Sequence, residues 1–344
     1  MNPYNNLPLT CRWSSAVSEM HPGLIDLSYD CEERITESDG VFSMGSCFAQ
    51  YIAAHLKRIS YNYLRYESDH LCGTHGSLFS ANYGNVYSAR QARQLFERAF
   101  GLRGFDDHVW LDFTGQYLDA FRPRVFERGF DTVVELSRAR VSHLNSVARL
   151  VREADWFVFT LGLTEGWESV SDSAVFPVAP GVLSDNFGTG AIRPVVWNYS
   201  NVMEDLLWIC DFLRSVNPRL KLIITVSPVP LAATHQRQHV IRSSVLSKSI
   251  LHVVANEVAS SLPSVFYFPS FEIISSSAAD GIFFNDDLRT ISRFGVDCVM
   301  RAFDRTFLRR DTPQAAMSQP QSAVQCDEEL LTRIDSQLDR LRKS

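Results

Sequence analysis

Among the side chains able to do chemistry, Ser46 has the most suggestive setting. The short run Val41-Phe42-Ser43-Met44 ends abruptly at Gly45-Ser46. Phe48, Ile52 and Leu56 then recur every four residues, the spacing of one buried helical face. The pattern predicts a strand, a tight turn and a helix, with a serine at the turn. Gly45 permits a backbone bend that a side chain would obstruct, and Ser46 then sits where helix N-terminal amides point outward. A hydroxyl in that place has two uses. It caps the helix, the commoner role of serine, or it is presented as a nucleophile beside backbone donors that can hold an oxyanion. Spacing alone leaves both open.

Positioning such a serine requires a sheet behind it. Residues 156–161 form a continuous apolar run ended by Gly162, residues 220–226 a second run stopped by Ser227-Pro228-Val229-Pro230, and residues 265–268 a third stopped at Pro269. Helical patterns separate them: one capped by Ser88 and closed by Gly101, one opened by Thr132 with Glu135 at capping-box spacing, one from Asn201 with Leu206, Leu207, Cys210 and Leu213 on a face, one over 243–260 and one over 291–308. Apolar strands alternating with helices predict an α/β fold of three layers, α/β/α, around a doubly wound, mostly parallel sheet. Ligands of such sheets gather at the carboxyl ends of the strands. The ends here are Gly45-Ser46, Thr160 to Glu165, Ser227-Pro228 and Ser270-Phe271-Glu272. At its strand end, Glu165 is suited to orienting a substrate or to holding a turn.

Elsewhere, Tyr61 to Tyr66 suggest a further strand and residues 110–117 a small hairpin. Residues 170–197, with Pro177, Pro180, Gly181, Gly188, Gly190 and Pro194, read as a long loop of the kind that is often functional. The chain divides into an N-terminal arm (1–40), a body (41–310), a Pro/Gln/Ser/Ala-rich linker (311–326) and an amphipathic C-terminal helix (327–344).

Composition narrows the function classes. Apolar residues make up 45% of the chain and charged residues 21%, as in an ordinary globular protein. The net charge of −6, with scattered basic residues, gives no electrostatic reason to expect nucleic acid or an anionic membrane as partner. No apolar run reaches membrane-spanning length, so no membrane insertion is expected. The seven cysteines, odd in number and without a Cys-x-x-Cys pair, fit reduced thiols and a cytoplasmic location, as does an N-terminus without signal-peptide character. His70, Cys72 and His75 lie close together but lack a fourth ligand, so no metal is expected. Gly-rich phosphate motifs are absent, and no cofactor is indicated.

Gly45-Ser46-Cys47-Phe48-Ala49 spells the signature of the GSCFA family, and the resemblance runs over about residues 2–305. Asn2-Pro3-Tyr4 with Leu7-Pro8 and Trp13 resembles that family's N-terminal arm. Its internal blocks are matched by Asn82-Tyr83-Gly84-Asn85-Val86-Tyr87, Asp119 with Arg122-Pro123, residues 161–167, residues 227–231 and residues 267–272. The family is grouped with the SGNH (GDSL-like) hydrolases. That grouping implies a serine nucleophile after the first strand, here Ser46, and action on esters, often acyl groups on glycans, by hydrolysis or transfer. It also implies oxyanion donors, here the Ser46 amide, Gly84 or Asn85, and a group in the turn from Gly162 through Thr164 to Glu165.

The chain departs from that pattern in one block. The last SGNH motif is Asp-x-x-His, and the corresponding residues are Asp287-Leu288-Arg289-Thr290. A threonine hydroxyl cannot take the serine's proton near neutral pH, and no histidine follows His252. His235, on the loop after Ser227-Pro228, is the best-placed substitute, although a solvated loop residue is the simpler reading of it. Asp286 or Asp287 acting directly would be a poor base at an ordinary carboxylate pKa. The expected function is therefore a serine esterase or O-acyltransferase acting on an acylated glycan or small ester. The alternative is a catalytically impaired member that binds a glycan or protein partner at the same rim.

Overall fold

The computed structural model describes residues 2–67, 79–106, 108–126, 128–183 and 191–309. The proposed linker and C-terminal helix lie outside them, as do His70, Cys72 and His75. In chain order the main elements are β1 (Val41–Gly45), α1 (Ala49–Arg58), α2 (Ala89–Ala99), β2 (Val109–Leu111), β3 (Tyr117–Asp119) and α3 (Val133–Glu153). There follow β4 (Trp156–Leu161), β5 (Glu165–Ser169), β6 (Val175–Phe176), α4 (Pro180–Leu183), β7 (Ile192–Val196) and α5 (Tyr199–Val216). The last are β8 (Lys221–Val226), α6 (Val240–Ser261), β9 (Val265–Phe268), α7 (Ser270–Ser275) and α8 (Arg293–Phe307).

Strands β1, β4, β8 and β9 pair in that order, all parallel. Their side chains alternate between two cores, as strand geometry requires. Phe42, Met44, Phe157, Phe159, Leu222 and Ile224 face the core built with α2, α3, α5 and α6. Val41, Trp156, Val158, Ile223 and Phe268 face the core built with α1, α7 and α8. The two cores give the three layers expected. Burial on both faces explains why the strands read as unbroken apolar runs.

The helix signals hold with small shifts. Ser88 and Thr132 accept hydrogen bonds from the amides of Gln91 and Glu135. Helix α5 is capped by Asn198, in a reciprocal box with Asn201, three residues earlier than the sequence suggests. Its buried stripe is Val202, Leu206, Ile209, Cys210 and Leu213, while Leu207 is exposed, being one residue off the helical period.

Two segments differ from expectation. Tyr61 to Tyr66 do not form a strand: Tyr63 makes a single parallel bridge to Val41 on the outer edge of β1. The stretch 170–197 is not an unstructured loop, because β6 and β7 pair antiparallel on either side of β5 in a small second sheet. The Pro and Gly punctuation concealed strands of two and five residues, the longer of which pairs non-locally. Of the N-terminal arm, residues 2–20 are mostly exposed, with Trp13 65% accessible. Nearer the body, Ile35 is fully buried and bridges to Leu308.

Candidate active site

Gly45 closes β1 with φ of +148°, a backbone conformation that L side chains rarely adopt. A methyl group on it would stand 2.3 Å from the Thr160 carbonyl oxygen on the neighbouring strand. Glycine is thus required here by close approach as well as by dihedral angle. The chain turns there, and the Ser46 amide donates to that same Thr160 carbonyl at 3.2 Å.

Ser46 does not cap the helix. The N-cap position of α1 is Phe48, without a side-chain cap bond. Ser46 is 3% exposed, and its Oγ has no hydrogen-bond partner among the described residues. A buried hydroxyl without a partner costs on the order of 1–3 kcal/mol. Of the two roles open at the sequence level, capping is the one the geometry excludes.

Ser46 lines a small cavity of about 10 Å³ together with Cys47, Tyr87, Gly162, Ser227, Pro230 and Lys248, among others. A wider cavity of about 230 Å³ is lined by Glu165, Trp167, Pro177, Val178, Val182, Ala233, Thr234 and His235. Tyr87, Leu163 and Leu231 line both, so the two adjoin. The wider space is mainly apolar, with Glu165, Thr234 and His235 as its polar edge. The walls come from the ends of β1, β4 and β8, from the β5 sheet and from α6, so the site lies at the carboxyl rim of the main sheet.

The residues singled out by sequence distribute unevenly over this rim. Gly162 packs against the serine: a methyl there would be 3.0 Å from Ser46 Cβ and 2.9 Å from the Tyr87 carbonyl. That carbonyl accepts from the amides of both Gly162 (2.9 Å) and Leu163 (3.0 Å), which fastens the β4 turn to the loop before α2. The Thr164 amide donates to Ser247 Oγ at 2.9 Å. Asn85 Oδ1 accepts from Gln50 Nε2 and its carbonyl from Gln91 Nε2, both at 3.1 Å, while Gly84 turns the chain at φ of +68°. Gly84, Asn85 and Thr164 line neither cavity.

Glu165 belongs to the wider cavity. Its carboxylate accepts from Thr234 Oγ1 at 2.8 Å and from Gln236 Nε2 at 2.6 Å, and so ties down the loop after β8. His235 Nε2 lies 3.5 Å from Glu165 Oε2 and 3.3 Å from the Val195 carbonyl, with its ring beside Trp167. His235 is therefore a partly buried wall residue of the wider cavity, not a solvated loop residue. Asp287 lines neither cavity. Its exposed carboxylate accepts from the amides of Arg289 and Thr290 and from the Thr290 hydroxyl, and these hydrogen bonds to its own turn hold it below the usual carboxylate range against the opposing effect of burial.

Lys248 was not anticipated. It is 4% exposed on α6, lines the Ser46 cavity and donates from Nζ to the Gly162 carbonyl at 2.5 Å. A lysine inside a helix ordinarily signals a solvated face. The relevant signal is phase: the buried stripe Leu251, Val254, Ala255 and Val258, continued backwards at the helical period, passes through Lys248, Ser247, Ser244 and Ser243, all of which are buried.

A buried ionic network supports the loop carrying Asn82 to Tyr87. Arg122 donates to Asp119, to Glu67 and to the Asn82 carbonyl, each at 3.0 Å. Arg140 adds a second bond to Asp119 at 2.8 Å, and His143 Nδ1 lies 2.8 Å from Glu67 Oε2. Burial alone would raise the Glu67 carboxyl. The bond with His143 and the charge of Arg122 outweigh it and hold the group at about 2. Burial, assisted by Arg122, pushes His143 down to about 4.

Both depressed groups take up protons later in the folded chain than in the unfolded one. Stability should therefore fall on acidification, first between about pH 6.5 and 4 through His143 and then between about 4.5 and 2 through Glu67. Because the two groups are bonded to each other their contributions overlap, and each is at most about 3 kcal/mol. Thermal denaturation across this range checks it, and a Tm unchanged from pH 6.5 to 4 would sink it.

Among the described residues, Asp106, His108 and Asp172 place one potential metal-ligand atom each within 4.8 Å of one another. Asp172 already accepts from the Asp106 amide and pairs with His108 Nε2, both at 2.8 Å. No helix among the described residues is long and apolar enough to cross a membrane.

Solved structures similar to this chain share little sequence with it. A protein described as a GDSL-like lipase, from Parabacteroides merdae, is 11% identical, with 81% of this chain and 100% of that one covered and a TM-score of 0.34. A carbohydrate esterase family 3 protein from Talaromyces cellulolyticus is 12% identical, with coverages of 77% and 94% and a TM-score of 0.30. An acetyl-xylooligosaccharide esterase variant from Geobacillus is 12% identical, with coverages of 80% and 99% and a TM-score of 0.32. A search of curated protein sequences gives no match. The GSCFA family model matches residues 40–303, a span that includes Ser46, both cavities and the ionic network behind them; the chain belongs to the GSCFA family.

Proposed function

We propose that this protein is an SGNH-type serine hydrolase or O-acyltransferase in which Ser46 attacks the acyl carbon of an acylated glycan or small ester. One observation carries the reading: a buried hydroxyl at the end of the first strand has no hydrogen-bond partner among the described residues and does not serve as the cap of α1. Folding does not call for such a group, whereas acyl transfer does. The adjoining 230 Å³ cavity supports the same reading, since its apolar walls and its polar edge at Glu165, Thr234 and His235 suit an acyl group joined to a hydroxylated carrier.

A fluorophosphonate probe should label the protein with one adduct, located on the peptide containing Ser46 by mass spectrometry. Absence of any adduct at saturating probe would instead leave a protein that only binds at this rim. Incubation of the labelling-competent protein with an acetylated oligosaccharide, with and without an added sugar acceptor, separates hydrolysis from transfer.

A further inference from the structure

Resting on the reading of Ser46 as nucleophile, we propose that Lys248 is its proton acceptor, so that the site works as a serine–lysine pair. Both residues line one cavity whose volume, about 10 Å³, is that of roughly one water molecule. Gly162 joins them physically. Its α-carbon packs against Ser46, with a methyl there 3.0 Å from Ser46 Cβ, and its carbonyl receives the Lys248 amine at 2.5 Å. The amine is thereby anchored in the wall of the serine's cavity, with one N–H committed to a fixed acceptor. Leu163, Val229, Pro230 and Leu231 give the cavity apolar walls. A lysine withdrawn from water among apolar groups is the usual setting for an amine that acts as a base.

The candidate bases named from the sequence are placed less well. His235 lines the neighbouring cavity and is turned to Glu165 and the Val195 carbonyl. The turn at Asp287 and Thr290 is closed upon itself.

The step balances without a further reactant. As Ser46 Oγ bonds to the acyl carbon, its proton passes to Nζ of the uncharged amine. The tetrahedral intermediate then collapses, its carbon–oxygen bond to the alcohol breaks, and the ammonium returns the proton to the departing oxygen. Water or a sugar hydroxyl attacks the acyl-serine in the second half, giving its proton to Nζ. Collapse releases the acid or the new ester and returns the proton to Ser46.

The experiment follows fluorophosphonate labelling and p-nitrophenyl acetate turnover in Lys248→Arg and Lys248→Ala, with folding monitored by circular dichroism. Lys248→Arg keeps a donor for the Gly162 carbonyl but cannot accept a proton, and both rates should fall at least about 100-fold. Lys248→Ala should be equally slow and should regain rate in proportion to added propylamine. Labelling by the Arg variant within a few-fold of wild type, or a folded Ala variant indifferent to amine, would overturn the assignment while leaving Ser46 as nucleophile. If the wild-type protein takes no label at all, the Ser46 reading falls and this one with it. If Lys248→Ala does not fold, the Arg variant decides.

Discussion

Ser46→Ala should abolish fluorophosphonate labelling and lower ester turnover by about 10⁴-fold or more, while leaving the protein as stable as before or more so. The two halves of this expectation have the same origin. The hydroxyl is buried without a partner among the described residues, so it makes no hydrogen bond there that offsets its desolvation cost. Removing it leaves the backbone bond from residue 46 to the Thr160 carbonyl intact, because the donor is the amide. Unfolding free energy should rise by anything up to about 2 kcal/mol, read as an unchanged or higher midpoint in urea. A catalytic residue is one place where a stable fold tolerates such a cost. A fall in stability of more than about 1 kcal/mol would show that the oxygen holds structure, and would remove the argument that it is kept for chemistry.

Gly45→Ala should be the most damaging single methyl that can be added near the site. The dihedral angle alone costs about 1–3 kcal/mol for a residue with a side chain. The new Cβ would also meet the Thr160 carbonyl oxygen at 2.3 Å and Thr160 Cβ at 2.7 Å. The nearer atom is backbone of β4, hydrogen-bonded beside β1, so it cannot rotate away. Truncating Thr160 should therefore restore little. We expect a loss of about 3–5 kcal/mol, together with displacement of Ser46 from the cavity it shares with Lys248. Gly104→Ala is the control, since nothing lies within 4 Å of its Cβ position, and it should change stability by less than about 0.5 kcal/mol. A Gly45→Ala protein as stable as this control would mean that β1 and β4 can separate without penalty, which the buried strand pair makes physically untenable.

Local pattern determined a good deal here. Phe48, Ile52 and Leu56 fixed the phase of α1, the apolar runs at 156–161 and 220–226 fixed the buried strands, and Gly45-Ser46 fixed where the first strand had to turn. These are properties of contiguous residues, written in periods of two and 3.6 and in the exclusion of side chains from tight turns. The family signature added the candidate nucleophile for the same reason, as it lies within one turn.

Only the tertiary structure decided what surrounds that serine. Whether its hydroxyl caps α1 or stands unpartnered depends on where Phe48 begins the helix. The fate of the 170–197 stretch depends on pairing with β5 rather than on its prolines. Sequence leaves Asp287 and His235 open as bases; the fold ties the first into an exposed turn and sets the second in the wall of the neighbouring cavity. Lys248 comes from α6, donates to the carbonyl of Gly162 just after β4 and lines the same cavity as Ser46 just after β1. Three segments far apart in sequence have to pack before that shared cavity exists. No local period records such a meeting, because packing chooses it from the whole chain at once.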